Sequence, residues 1–244
     1  MKKIWGAALL ASAATIGFAG TANAEVEFTG NVALTSDYVF RGVSQSDSDI
    51  AIQGGMDLTS GIFYAGVWGS SIDFGTDGTV EVDLYGGVRP VVGPFTLDFG
   101  VIYYAYPGMD DSLEADMWEF RAGASVSPVE GLTLAGNVFY SPDFTFTNTL
   151  AADDASGLFV EGRVSYTVND TVAISGAVGN QSVDYDDYFG IGEDNYTTWN
   201  VGGTLSFYGF GLDLRYYDSD AELFGPSGDE TADGRFVATL SRAL

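Results

Sequence analysis

Beyond residue 25 the chain alternates between apolar and polar positions in short runs, and turn-forming residues break the runs every ten to fifteen positions. Side chains on a strand point alternately to its two faces, so this is the pattern of half-buried strands in an antiparallel sheet. Twelve strands are predicted, at 26–42, 49–59, 61–71, 79–90, 94–106, 115–127, 131–141, 157–168, 171–181, 195–207, 210–218 and 234–244. In the first, "NVALTSDYVFRGVSQSD" at 31–47, every second residue from Val32 gives an apolar and aromatic side that includes Leu34, Tyr38 and Phe40. Its other side carries Asp37 and Arg41.

The connections alternate in length. "TSG", "VVGP", "SPVEG", "VND" and "YGF" are tight, whereas the six between them are long and hold 22 of the 34 acidic residues. Short turns at one end and long loops at the other are the asymmetry of an outer-membrane barrel, and an even strand count puts both termini on the short-turn side. A weak internal repeat runs at an offset of six strands. "GNVALTSDYVF" from Gly30 resembles "GNVFYSPDFTF" from Gly136, "AGVWGSSIDF" from Ala65 resembles "SGAVGNQSVDY" from Ser175, "PFTLDFGVIYY" from Pro94 resembles "GFGLDLRYY" from Gly209, and "RAGASVS" from Arg121 resembles "RFVATLS" from Arg235. Chance likeness among Gly-rich strands and a duplicated six-stranded half both fit it.

A β-sandwich would alternate too, with its charged face in water. Aromatic placement separates the two architectures. Phe28, Phe95, Tyr166, Phe207 and Phe210 lie near the short-turn ends, and Tyr38, Phe40, Trp68, Tyr103, Trp118, Tyr140, Trp199 and Tyr216 near the long-loop ends, mostly on the apolar face. Two aromatic girdles with aliphatic residues between them suit the two interfaces of a bilayer, and strands of about ten residues tilted by roughly 40° span its apolar band. The predicted fold is therefore all-β, a transmembrane antiparallel β-barrel. Tyr38 and Phe40 are expected to face lipid, and the charged set to face the lumen: Asp37, Arg41, Asp57, Glu81, Asp83, Asp98, Glu119, Arg121, Glu161, Arg163, Asp213 and Arg215, with Arg89 and Arg235.

Composition sharpens this picture. Lys2 and Lys3, an apolar run from Ile4 to Phe18, and Ala22 and Ala24 in an A-x-A arrangement read as a secretory signal peptide cleaved after Ala24, leaving 25–244 as the barrel. The apolar run is shorter than the roughly 20 residues of a spanning helix. Removing 1–24 takes the formal charge from -25 to -27 and leaves Arg as the only cation, a balance that repels nucleic acid. The chain has neither Cys nor His. Disulfides and Ser-His or Cys-His nucleophiles are excluded, and neither an enzyme nor a cofactor is expected.

The segments "LTSDYVFRGVSQSD" at Leu34–Asp47, "AIQGG" at Ala51–Gly55 and "IFYAGVWGS" at Ile62–Ser70 resemble the TorF family of porins from Gram-negative bacteria. The resemblance implies an outer-membrane β-barrel porin, with no substrate or site to carry over.

Glu119/Arg121, Glu161/Arg163 and Asp213/Arg215 stand two apart on one strand face, placed either to brace the interior or to select solutes. Interior Tyr85, Tyr104, Tyr106 and Tyr217 fit a polar-aromatic track or simple packing. The acidic loops, with Asp184, Asp186 and Asp187 at the mouth, suit a solvated rim; they are rich enough in oxygens for Ca²⁺ or Mg²⁺ but lack EF-hand spacing. Two functions fit: a passive channel for small hydrophilic solutes, biased by its acidic mouth toward cations or neutral solutes, and a closed structural or surface-binding barrel. The partners expected are outer-membrane lipid, small solutes and divalent cations at the outer loops.

Overall fold

The computed structural model describes residues 25–113, 115–145, 155–185 and 194–244. Twelve strands form one closed antiparallel barrel: β1 (Glu27–Thr35), β2 (Ala51–Ser60), β3 (Phe63–Ser71), β4 (Val80–Val88), β5 (Phe95–Ala105), β6 (Met117–Val129), β7 (Leu132–Ser141), β8 (Gly157–Thr167), β9 (Val172–Val183), β10 (Asn195–Phe207), β11 (Phe210–Ser219) and β12 (Arg235–Ala243). Each strand pairs with its neighbour in sequence. β12 returns to β1 in the register Leu34↔Leu240, so the wall has no open edge. Closure satisfies every ladder within the sheet, which a strand-built wall needs in lipid.

The tight turns follow from local conformation. Tyr208 and Gly209, between the paired Phe207 and Phe210, both have positive φ, as the two-residue turn that matches strand twist requires. The outer wall is apolar and uncovered. Val160 is 46% exposed and Leu214 57%, with Val32, Leu84, Phe99, Val138 and Val201 also exposed. A continuous apolar surface round a closed barrel is a lipid-facing surface. Tyr103 stacks near Trp118 at 4.7 Å, Trp199 near Tyr216 at 5.3 Å and Tyr216 near Phe236 at 4.9 Å, at the long-loop rim. Phe28, Phe63, Phe95 and Tyr166 are exposed at the opposite rim.

The four repeat pairs fall on β1/β7, β3/β9, β5/β11 and β6/β12. Tyr38 and Phe144, which follow β1 and β7 at matched places in the repeat, are both buried in one hydrophobic cluster inside the long-loop end of the barrel.

The first strand departs from expectation. It ends at Thr35 instead of continuing to residue 42, and the chain then turns inward, with Thr35 Oγ1 donating to the Asp37 carbonyl at 2.8 Å. Tyr38 and Phe40 therefore do not face lipid. Tyr38 is buried, its hydroxyl donating to Glu81 Oε1 at 2.6 Å, and Phe40 packs edge-on to Tyr104 at 6.0 Å. Trp68 also points inward, against Tyr38 at 5.4 Å, rather than joining the outer girdle.

Candidate functional site

Residues 36–50 carry the element that organises the lumen. Val39 pairs with Ser44 and Phe40 with Val43, so Arg41 and Gly42 form the two-residue tip of a small hairpin. Both have positive φ, 49° and 86°, as a type I′ turn requires; for Arg41 this is an uncommon conformation that the packing around it must hold. At Gly42 a Cβ would overlap Thr198 of β10, so only glycine lets the tip close against that wall.

The tip presents Arg41 to the far side of the barrel. Its Nη2 donates to both carboxylate oxygens of Glu119 on β6 at 2.8 Å, and its Nη1 to Gln181 Oε1 on β9 at 2.8 Å. The guanidinium also lies 5.1 Å from the ring of Phe139 on β7 and 4.4 Å from that of Phe159 on β8. One side chain thus engages four consecutive strands, β6 to β9, opposite the loop that bears it. Glu119 and Gln181 are among the largest fully buried side chains of the described residues. At the hairpin base, Asp37 accepts from Arg235 at 2.9 Å, Ser44 at 2.6 Å and Ser46 at 3.1 Å. Asp47 accepts from the Ser227 backbone and hydroxyl, both at 2.9 Å, joining the hairpin loop to the β11–β12 loop.

This packing closes the long-loop half of the lumen. Thr35, Glu81, Glu119, Phe159, Gln181 and Val237, spread round the barrel on β1, β4, β6, β8, β9 and β12, are each 5% exposed or less. An open passage would leave such inward side chains wet. Below the hairpin lies a cavity of about 1100 Å³ whose lining reaches the exposed turn residues Asn169, Asp170 and Thr171, so it meets solvent at the short-turn end.

Its walls hold a ladder of ion pairs. Asp98 sits between Arg89 at 3.0 Å and Arg121 at 3.3 Å and accepts from Tyr64 at 2.7 Å. Arg121 also donates to Asn137, which donates to Glu161, which pairs with Arg163 at 3.0 Å. Arg215 pairs with Asp213 at 3.0 Å and donates to Asn200 and Ser175, and Tyr85 donates to Asp57 at 2.6 Å.

Of the twelve lumenal residues named from the sequence, Asp37, Arg41, Asp57, Asp83, Arg121, Glu161, Arg163, Asp213 and Arg215 line the cavity. Glu81, Asp98 and Glu119 face inward but are buried behind other side chains. Glu161/Arg163 and Asp213/Arg215 pair along their strands; Glu119/Arg121 do not, because Arg41 takes Glu119 and Asp98 takes Arg121. Gln181, Asn137, Asn200 and the inward rings of Phe139 and Phe159 were not singled out, since neutral side chains on alternating strands carry no charge signal. Asp184 is exposed at the long-loop end, while Asp186 and Asp187 lie outside the described residues. Among the described residues no three acidic groups stand together as metal ligands; Glu114, Asp153, Asp154, Asp186, Asp187 and Glu193 of the outer loops lie outside them.

Residues 19–244 match a family described as "Bacterial protein of unknown function (Gcw_chp)". The chain belongs to the Gcw_chp family. This Gcw_chp barrel is similar in fold to the NanC porin, with a TM-score of 0.59 at 11% identity over 89% of this chain and 98% of that one. It is similar also to the KdgM porin, with a TM-score of 0.59 at 7% identity over 88% and 99%. A structure of KdgM with disordered oligogalacturonate matches at a TM-score of 0.56, 7% identity and 89% and 99% coverage. No curated protein matches the Gcw_chp chain.

Proposed function

We propose that this chain is an outer-membrane porin-like channel whose long-loop opening is closed by the Arg41 hairpin, and that small hydrophilic solutes pass when the hairpin withdraws. Residues 1–24 act as its export signal and 25–244 as the barrel. The observation that carries the reading is the charge-lined cavity beneath the hairpin, open at one end and shut at the other by the hairpin with the long-loop side chains packed on it, Phe144 and Ala221 among them. A barrel built only as a wall has no need of a wet interior. The porin fold of NanC and KdgM and the resemblance of the first third to TorF porins support the same reading.

Selectivity comes mainly from the mouth. Inside, arginines and carboxylates largely offset each other, whereas the long loops are acidic, Asp184, Asp186 and Asp187 among them, and raise the local cation concentration. Cations and neutral polar solutes are favoured over anions. Reversal potential across a planar bilayer under a salt gradient tests this: cation preference is expected at low salt and weakens as screening shortens to about 3 Å at 1 M. Anion preference at low salt overturns the selectivity. Silence from folded protein, with and without the Arg41 anchor, identifies a closed structural barrel instead.

A further inference from the structure

Asp83 stands apart from every other inward carboxylate. Asp37, Asp57, Glu81, Asp98, Glu119, Glu161 and Asp213 each accept a hydrogen bond from an Arg or Tyr, or pair with an Arg. Asp83 is only 8% exposed, its Oδ1 has no hydrogen-bond partner, and its side chain lines the cavity just beneath the hairpin. The donors around it are committed elsewhere: Arg41 and Tyr104 to Glu119, Tyr38 to Glu81, Tyr85 to Asp57. A buried ionised carboxylate without a partner is expensive, so a positive group or a proton must meet it.

We infer that Asp83 anchors a binding site in the lumenal cavity for the ammonium group of a small amine-bearing solute. Register places Asp83 directly between Trp68 on β3 and Tyr104 on β5, and the Tyr38 ring packs on Trp68 at 5.4 Å. Aromatic faces beside a carboxylate favour an organic cation. A metal ion needs several oxygen ligands at once, and the described residues group no three carboxylates in that way. Glu81, two residues away on the same face of β4, adds negative potential while Tyr38 occupies it. The inference deepens the channel reading, on which it rests for the cavity being a solute path; binding itself is read without conduction.

The test is calorimetric titration of the refolded full-length barrel in detergent with 1,4-diaminobutane, with glucose as the neutral control. Saturable binding of the diamine is expected, weakened about thirtyfold or more in Asp83→Asn, the loss that follows removal of one partner of a buried charge pair. Asp110→Asn, in an outer loop, leaves it unchanged. Infrared difference spectra between wild type and Asp83→Asn add a readout on the carboxyl itself: it is expected ionised when the diamine is bound. No binding by wild type, equal binding by a folded Asp83→Asn variant, or a carboxyl still protonated with the diamine present overturns the inference. Conductance of the same preparations separates the two claims. Conduction without diamine binding removes the site alone, and binding by a barrel that never conducts removes the channel alone.

Discussion

Arg41, in the loop after β1, and Glu119, on β6, meet in a two-pronged ion pair at 2.8 Å with both side chains nearly free of solvent. The hairpin tip and the opposite wall are joined through this contact. Charge-assisted bonds from a guanidinium to a carboxylate are among the stronger polar contacts, and removing one partner inside a protein strands the other charge.

Glu119→Ala should therefore release the hairpin. Stranding Arg41 costs about 3–5 kcal/mol of the closed arrangement. Arg41 is itself a trypsin site, so limited trypsinolysis reports its exposure: the Arg41–Gly42 bond should resist in wild type and be cut in Glu119→Ala. Glu119→Asp, which keeps Arg41 as the cleavage site and returns a carboxylate to its guanidinium, should restore part of the protection. Equal cleavage in all three chains would show that the pair does not hold the hairpin.

Gly42→Val should act at the same place for a different reason. The position has φ 86°, and a Cβ there overlaps Thr198. Adding Thr198→Ala should recover part of the trypsin resistance by relieving the overlap, but not all, because the backbone penalty for a β-branched residue at positive φ remains. Full resistance in Gly42→Val alone would contradict the tip geometry.

The twelve strands were legible because lipid outside and charge inside keep the period-2 signal in phase on every strand, and because loop length alternates. The hairpin was not. "VALTSDYVF" keeps its alternation past Thr35, where the chain leaves the wall, so pattern alone extends β1. The signal for the turn is "VFRGVS", β-forming residues flanking a two-residue tip, but Arg takes the place usually filled by Asn or Asp in such turns. Trp68 was ambiguous because both faces of "FYAGVWGSS" are apolar. That Arg41 crosses to Glu119, 78 residues on, is a property of the closed barrel and of no local pattern.

The facing of the wall gives an independent check. Arg at Val160 or Leu214, both on the exposed apolar face, should impair insertion by about 2–4 kcal/mol near the bilayer midplane. Arg at Ser206, which lines the cavity, should be tolerated. Folding yields into lipid vesicles measure the difference, and equal yields would remove the lipid-facing assignment.

Orientation follows from the loops. Protease added to intact cells should cut in the β11–β12 loop near Asp229 and spare the β8–β9 turn at Asn169. Cleavage at that turn alone would invert the barrel.

Single-channel recording of wild type beside Arg41→Ala tests the gate most directly. Wild type should be closed for most of the record, with brief openings, and Arg41→Ala should show long openings with the same cation preference. A large steady conductance in wild type, unchanged by Arg41→Ala, would contradict closure by the hairpin.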